Sequence, residues 1–443
     1  MNQTIQANPP EPRVLVETSR AVPLVTLSVT FTQGSVLDPE GLLGLTRLTG
    51  RLMRRTGGGL SADQIDTRID TLGASLGVDV THSAISFQGT CISRSIEGYV
   101  DVVKDVVAKA SLSEHEFNKL KSESQAELLS MLDSDQSVAR HWFRREMFAD
   151  HPYGRPTGGT LVSVPKLQHG AAVEHAKRTI RRGNLLFAFA GDINPEQAQR
   201  FAADIAAVVP SGASPEVEID EPRFVSGRQL VVVDKPDRTQ TQILIGTRGS
   251  HPKDADHTAL HVANTVFGGT FTSRLMHEVR SKRGWSYGAS SHLAYDRRRQ
   301  PLSILTFPKA EDAAPCIELQ IQLLEQWCEA GITQTELDWA KNYLIRSHAF
   351  SVDTASKRVS QKLDEVLYDL PKGYHEEYLA NVQAVTLEQA NQAVAERISP
   401  KDLLIVVVCT EKLVGAQLQA IVPNLEHYKV IPFNGEVQTE TKT

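Results

Sequence analysis

The first residues whose type and spacing bear on chemistry are Arg47 and Arg51. They lie four residues apart in the stretch GLTRLTGRLMRRTGG (44–58), and residues four apart share one face of a helix. Leucines at a helical spacing predict that this stretch is amphipathic. A guanidinium keeps its proton at every useful pH, so this pair cannot ligate a metal. It can form ion pairs with carboxylates or lie on a solvated basic face.

Other spacings also fall short of a complete site. His257 and His261, in HTALH, are four apart as in a metal-binding helix, but no Glu lies between them, and ordinary packing is favoured. HEVRS (277–281) begins like H-E-x-x-H and lacks the second His. The sequence contains no G-x-x-x-x-G-K-[ST], and no nucleophile–His–acid set stands out. We therefore expect this chain to bind no metal and no cofactor of its own.

Composition excludes several classes of protein. With 443 residues the chain is too long for one ordinary core, so two or more domains are expected. The net charge of −6, with acids and bases mixed along the chain, argues against a nucleic-acid partner. The four cysteines are far apart, without a C-x-x-C, so neither a zinc ribbon nor a disulfide framework is indicated.

The sequence carries no sign of a membrane or secretory address. No apolar run approaches the roughly 18 residues that span a bilayer. The N-terminal residues lack a basic segment followed by an apolar one. A cytoplasmic location is therefore expected, with the periplasm as the alternative if an N-terminal segment has been removed.

The chain repeats itself at an offset of roughly 215–220 residues. Residues 27–53 resemble residues 243–269: each is an apolar strand, a Gly-Ser turn, an acidic loop and an amphipathic helix. Further matching segments are 112–128 with 332–348, and 184–207 with 402–422. The protein is thus predicted to consist of two copies of one unit.

The repeat predicts the domain organisation and the fold class. An N-terminal domain would cover residues 1–210, a Pro/Ser/Gly-rich linker 211–228, and a C-terminal domain 229–443. The order of elements favours α+β: two homologous α/β-roll domains, each with an antiparallel-rich sheet and helices on one face.

The second copy resembles a known family. Residues 273–287 (SRLMHEVRSKRGWSY) are similar to the pattern S-R-L-F-x-x-[LV]-R-x-x-x-G-L-x-Y of the pitrilysin-like zinc peptidases, the inverzincins that include mitochondrial processing peptidase. HPYGRPTGG (151–159) and the two-copy layout are also family-like, so the resemblance covers nearly the whole chain.

The resemblance implies a role for Arg280 and Tyr287. The family has an Arg and a Tyr seven residues apart that project towards the scissile region of a bound peptide. An Arg fork and a Tyr hydroxyl are both donors. Aimed at one oxygen, they would stabilise a tetrahedral intermediate of peptide hydrolysis.

The same resemblance shows what this chain lacks. The family's H-x-x-E-H holds zinc through two His and uses the Glu as general base. Arg47 stands in place of the first His, Gly50 of the Glu and Arg51 of the second His. The third-ligand position falls on Glu127, which cannot hold zinc alone. We predict that the Glu127 carboxylate pairs with one of these arginines.

The resemblance also implies an activity. Some family members are split between two chains, one with H-x-x-E-H and one with the Arg/Tyr pair. This sequence resembles the second type. It is therefore expected to be the non-catalytic subunit of a heterodimeric zinc endopeptidase, inactive alone, with zinc in the partner and peptides or unfolded segments as substrate.

Two alternatives stay open. One is a proteolytically inactive structural or regulatory homologue that forms a homodimer or joins a larger assembly, as the core proteins of a respiratory complex do. The other is a stand-alone enzyme of different chemistry, for which the sequence offers no set of residues.

Overall fold

The described part of the chain contains two mixed sheets, each covered by helices. A computed structural model describes residues 12–435. Their arrangement is the α+β class predicted from the sequence, with two units built on the same plan. No helix within these residues is both long and apolar enough to cross a membrane.

The strands are short and rich in β-branched and aromatic residues, which suits them for sheets. The first sheet contains β1 (Arg13–Thr18), β2 (Leu24–Thr32), β3 (Gly77–Val80), β4 (Ala84–Ile92) and β5 (Leu185–Gly191). The second contains β6 (Arg228–Asp234), β7 (Gln242–Arg248), β8 (Ala289–Leu293), β9 (Pro301–Thr306), β10 (Leu403–Cys409) and β11 (Leu425–Pro432).

The order of the strands displays the internal repeat. The first sheet runs β1-β5-β2-β4-β3 and the second β11-β6-β10-β7-β9-β8. In each, one parallel pair (β1 with β5, β6 with β10) is followed by antiparallel neighbours. Five strands therefore recur with the same order and direction, and β11 is an addition beside β6.

The helices follow in chain order. They are α1 (Leu45–Arg55), α2 (Ala62–Thr71), α3 (Ile96–Ala108), α4 (Glu114–Met131), α5 (Asp135–Phe148), α6 (His169–Thr179), α7 (Pro195–Val208), α8 (His257–Phe267), α9 (Arg274–Met276), α10 (Ala313–Ala330), α11 (Gln334–Ser347), α12 (Ala349–Val352), α13 (Ala355–Leu367), α14 (Tyr378–Ala384), α15 (Leu387–Arg397) and α16 (Glu411–Ile421). Several begin with a capping box that satisfies free N–H groups at their first turn.

The compact units do not follow chain order. The first comprises residues 12–128, 156–218 and 351–367, and the second 129–155, 219–350 and 368–435. The predicted division was 1–210, 211–228 and 229–443. The compact units differ from it in two segments: 129–155 belongs to the second unit and 351–367 to the first. The reason is that their helices, α5 and α13, bury their apolar sides on a sheet built by the other half of the chain.

Each exchanged helix covers the second face of a sheet. In the second sheet Ile405 and Val407 point into the main core, while Leu404 and Val406 on the other face are equally buried. Helix α5 packs against β7 and β10 there. Helix α13 packs against β1 and β5 of the first sheet in the same way. The central strands are therefore apolar on both faces, which explains their continuous apolar runs.

Ion pairs hold both exchanged helices. In the second unit the Lys235 ammonium donates to the carbonyl oxygens of Leu132 and Asp133 and to Asp135 Oδ1, at 2.6, 3.1 and 2.6 Å. All three of its donors are thereby used at the turn that leads into α5. In the first unit Glu17 of β1 pairs with Arg358 and Lys362 of α13, at 3.0 and 2.6 Å.

Lys235→Met is expected to lower the free energy of unfolding by about 2–4 kcal/mol, because it leaves a carboxylate and two carbonyls without their buried donor. Urea unfolding measures this. Lys429→Met is a matched control, since Lys429 pairs with Glu146 of the same helix α5 but is 55% exposed; its effect should stay below about 1 kcal/mol. Equal effects of the two variants would contradict the account.

Asp364 on α13 should make stability depend on pH. Burial raises the pKa of this carboxyl from 3.8 to about 6. Between these values the folded state binds more protons than the unfolded state, so stability falls as pH rises through this window. Asp364→Asn should therefore raise the melting temperature at about pH 7 and not at about pH 4. Asp353→Asn, an exposed control, should lack this pH dependence, and a pH-independent gain in Asp364→Asn would exclude the mechanism.

Candidate functional site

Helix α1, which carries Arg47 and Arg51, is fixed at its N-terminus by a buried carboxylate. Asp38 accepts from the backbone N–H groups of Gly44 and Thr46 at 2.8 and 2.7 Å, and from the Thr46 hydroxyl at 2.6 Å. The Thr46 hydroxyl in turn lies 2.8 Å from His175 Nε2. Burial, aided by the charge of Arg178, lowers the pKa of His175 to about 4. A neutral His175 donating to Thr46 therefore completes this support.

The predicted pairing of Glu127 is present. Its carboxylate lies 3.2 Å from Arg47 Nη2 and 2.8 Å from Arg51 Nη2. Arg51 Nη1 also donates to Glu127 and to the Ser124 hydroxyl, at 3.1 and 3.2 Å. At the positions that the resemblance assigns to the metal ligands, two guanidiniums thus surround one carboxylate.

The pairing extends along both helices as a ladder. Arg55, one turn beyond Arg51, donates to both oxygens of Glu123 at 3.1 and 2.8 Å and lies 3.6 Å from Glu116. Hydrogen bonding from Arg55 lowers the pKa of Glu123. We call Arg47, Arg51 and Arg55 of α1 with Glu116, Glu123 and Glu127 of α4 the arginine–glutamate ladder.

Zinc does not fit this ladder. Arginine cannot ligate a metal, and the two cations nearest Glu127 repel one. Gly50 has no side chain that could act as a general base, and a Cβ there would lie close to side-chain methyls of Val78 and Ile85, at 3.1 and 3.4 Å. Across residues 12–435, no three His, Cys, Asp or Glu side chains are grouped to hold a metal.

The two histidines of α8 serve packing. His257 bonds to the Ser250 and Tyr374 hydroxyls at 2.8 and 3.0 Å, and His261 lies 3.3 Å from the Tyr378 hydroxyl. Burial lowers the pKa of His257 to about 3 and that of His261 to about 4. Both rings are therefore neutral and committed to tyrosine partners.

In the second unit a tight turn presents Arg280. Residues His277–Ser281 form a π-helical turn after α9, a geometry often found at functional sites. Val279 is fully buried and anchors the turn, while Arg280 lies at its outer side. Gly284, with φ of +67°, then reverses the chain towards β8.

The structure brings Arg280 and Tyr287 together. The Arg280 guanidinium lies 4.7 Å from the centroid of the Tyr287 ring. The buried Ser286 hydroxyl donates to the Gly288 carbonyl at 2.6 Å and accepts from Phe307 N–H, so the segment is fixed and Tyr287 is left 77% exposed. Contact is through the ring face, so the hydroxyl is not bonded to Arg280.

No acid of the described chain neutralises Arg280. Glu278, two residues before it, is taken up by Lys282 and Arg283 at 2.6 and 2.7 Å. These bonds outweigh burial and lower the pKa of Glu278 to about 2. Within residues 12–435 the Arg280 guanidinium has neither a hydrogen bond nor an ion pair. Its N–H donors are free for a ligand.

Sequence reasoning missed several residues of these sites. The position of Arg55 beside the other two arginines could have been predicted, since it continues the spacing of four from Arg47 and Arg51. Glu116 and Glu123 share a helical face with Glu127. Their pairing with the arginines could therefore have been predicted once Glu127 had been identified. Phe271, whose ring lies 4.5 Å from the Arg280 guanidinium, had no signal in the sequence.

Both halves of the chain match known peptidase-related families. Residues 13–161 match the family described as Insulinase (Peptidase family M16). Residues 167–344 match the one described as Peptidase M16 inactive domain.

Individual relatives agree with this. The chain is 22% identical over 402 residues to the "non-peptidase homolog YmxG" of Helicobacter pylori, covering 90% of this chain and 92% of that protein. Its fold is similar to the crystal structure of a peptidase M16 inactive domain from Pseudomonas fluorescens (TM-score 0.83, 24% identity, 90% and 95% covered). It is also similar to a chain of complex III2 from Candida albicans (TM-score 0.76, 14% identity, 92% and 97% covered).

Replacing the ladder's cations should restore a metal site. Arg47→His combined with Arg51→His would place two imidazoles four residues apart beside Glu127, a His₂Glu set. Equilibrium dialysis should find about one zinc per chain in this variant and none at this place in the unaltered chain. Peptide hydrolysis should stay absent, because Gly50 supplies no base.

Arg51→His alone is the matched control, since it offers one imidazole and one carboxylate. If the double variant keeps its fold by circular dichroism and takes up no more zinc than the single variant, then α1 and α4 do not carry the remnant of a zinc site.

Proposed function

This chain belongs to peptidase family M16, and from that premise we propose that it is the non-catalytic subunit of a heterodimeric zinc endopeptidase. A partner of the same family with an intact H-x-x-E-H would supply the zinc and the general base. This chain would supply Arg280 and Tyr287 to the bound peptide.

One observation carries the proposal: Arg280 is half-buried beside the exposed Tyr287 and has no acidic partner in the described chain. Tyr287 contacts the guanidinium through its ring face, and such a contact uses none of the five N–H donors. These donors are therefore available to bind a substrate carbonyl.

Each residue would act on a different atom of the peptide. Arg280, always charged, would hold a backbone carbonyl of an extended segment. The Tyr287 hydroxyl, free of partners among the described residues, would donate to the oxygen that becomes negative as the peptide bond is attacked. A donor aimed at developing charge lowers the barrier more than one that binds substrate and transition state equally.

The ladder explains why a partner is needed. Its guanidiniums occupy the metal position and Gly50 occupies that of the base, so this chain lacks both components of the hydrolytic step. The substrate would be bound in extended form by strand addition to a sheet edge of the partner, which accepts varied sequences through main-chain bonds.

A second candidate is a structural or regulatory subunit without proteolysis. The similarity to a chain of complex III2 and to a protein described as a non-peptidase homolog supports it. In that case the chain would form a homodimer or join a larger assembly, and Arg280 and Tyr287 would be dispensable.

We expect the purified chain to be inactive alone and to accelerate cleavage of a fluorescence-quenched unstructured peptide when mixed with an H-x-x-E-H chain of the same organism. Tyr287→Phe and Arg280→Ala should each lower kcat/KM of the mixture by about 10²-fold, as loss of one oxyanion donor does.

Tyr343→Phe and Arg346→Ala are the matched controls. Both residues are exposed on α11, and both variants should leave the rate unchanged. If the mixture is no faster than the partner alone, or if Tyr287→Phe and Arg280→Ala behave like these controls, the structural alternative is favoured.

A further inference from the structure

Arg280 contacts two aromatic rings. Its guanidinium lies 4.5 Å from the ring centroid of Phe271 and 4.7 Å from that of Tyr287. Both rings are largely exposed, at 66% and 77%. Neither ring is needed to fill the core, so this contact of one cation with two aromatic rings is a surface feature.

The loop that carries Phe271 is anchored on both sides. Before it, the Gly268 carbonyl accepts from the Ser291 N–H of β8 at 2.9 Å. After it, Arg274 makes a two-point ion pair with Glu336 at 2.8 and 2.6 Å and donates to the Gly331 carbonyl. An exposed aromatic residue on a loop fixed in this way has a defined position.

The two rings limit where the guanidinium can lie. Cation–π contacts with both rings reduce the rotamer freedom that a long arginine side chain otherwise keeps. Contacts through ring faces leave the N–H donors available. The ligand that fits is a carbonyl or carboxylate oxygen that accepts from these donors.

We propose that Phe271 is a positioning residue of the substrate-binding site, which orients Arg280 together with Tyr287. This inference rests on the proposed function, because it assigns Phe271 a part in the binding that Arg280 performs. Phe271 itself makes no polar contact and acts through Arg280 alone.

The contact between the Arg280 guanidinium and the Phe271 ring is tested first, without any cleavage assay. In the full chain labelled with ¹⁵N-arginine, the Arg280 Nε–H signal, assigned by its loss in Arg280→Ala, should lie upfield because of the ring currents. Phe271→Ala should move it towards the position of an unrestrained arginine, and Phe271→Tyr should not. A signal unaffected by Phe271→Ala would overturn the inference.

The role in binding is tested in the mixture with the H-x-x-E-H chain. Phe271→Ala should lower kcat/KM by roughly threefold to thirtyfold, the range of a cation–π contact. Phe271→Tyr should restore the rate to within about twofold, whereas Phe271→Leu, which keeps the bulk without the ring, should not. Phe350→Ala removes an equally exposed phenylalanine, 74% accessible, and should have no effect.

A double-mutant cycle separates positioning from a general structural effect. If Phe271 acts through Arg280, adding Phe271→Ala to Arg280→Ala should cause no further loss. Full additivity of the two losses would overturn the inference. If Arg280→Ala alone leaves cleavage unchanged, it is the proposed function that fails. The nuclear magnetic resonance result still decides whether Phe271 positions Arg280.

Discussion

The permanent positive charge of Arg47 and Arg51 is the constraint that decides what chemistry the first unit can do. The two guanidiniums connect α1 to the Glu127 carboxylate on α4 directly, at 3.2 and 2.8 Å. Helices α1 and α4 are thereby joined without zinc. The same contacts remove the metal chemistry, because these cations cannot be neutralised at any useful pH.

The ladder is a chemical replacement more than a source of stability. Its side chains are between 17% and 42% exposed, and ion pairs of that kind contribute little each. Cohesion comes from the cores on the sheets and from the exchanged helices. Lys235, which holds α5, is among the few charges of the described residues that lose most of their water on folding.

Much of the fold was accessible from the sequence because the chain repeats. Segments 27–53 and 243–269 already display the strand, turn and helix that recur in both sheets. The exchange of α5 and α13 was not accessible. Their apolar periodicity predicts a buried helix face, but it carries no information on which sheet that face meets, so the compact units depart from chain order.

The candidate sites were likewise predictable only in part. Arg47, Gly50, Arg51 and Glu127 were placed by the resemblance to the family's H-x-x-E-H pattern, and the pairing of Glu127 with an arginine followed from their opposite charges. Phe271 could not, because an exposed aromatic residue has no pattern and its importance appears only when the loop folds beside Arg280. Arg280 of the second unit thus has no acidic partner among the described residues, whereas Arg47 and Arg51 of the first unit are paired with Glu127.

The central claim is that hydrolysis needs both chains in one assembly. The most direct test is peptide cleavage at constant total protein while the ratio of this chain to an H-x-x-E-H chain is varied. The account predicts a maximum at equal amounts and almost no activity at either end. Activity that simply follows the amount of the H-x-x-E-H chain would contradict it.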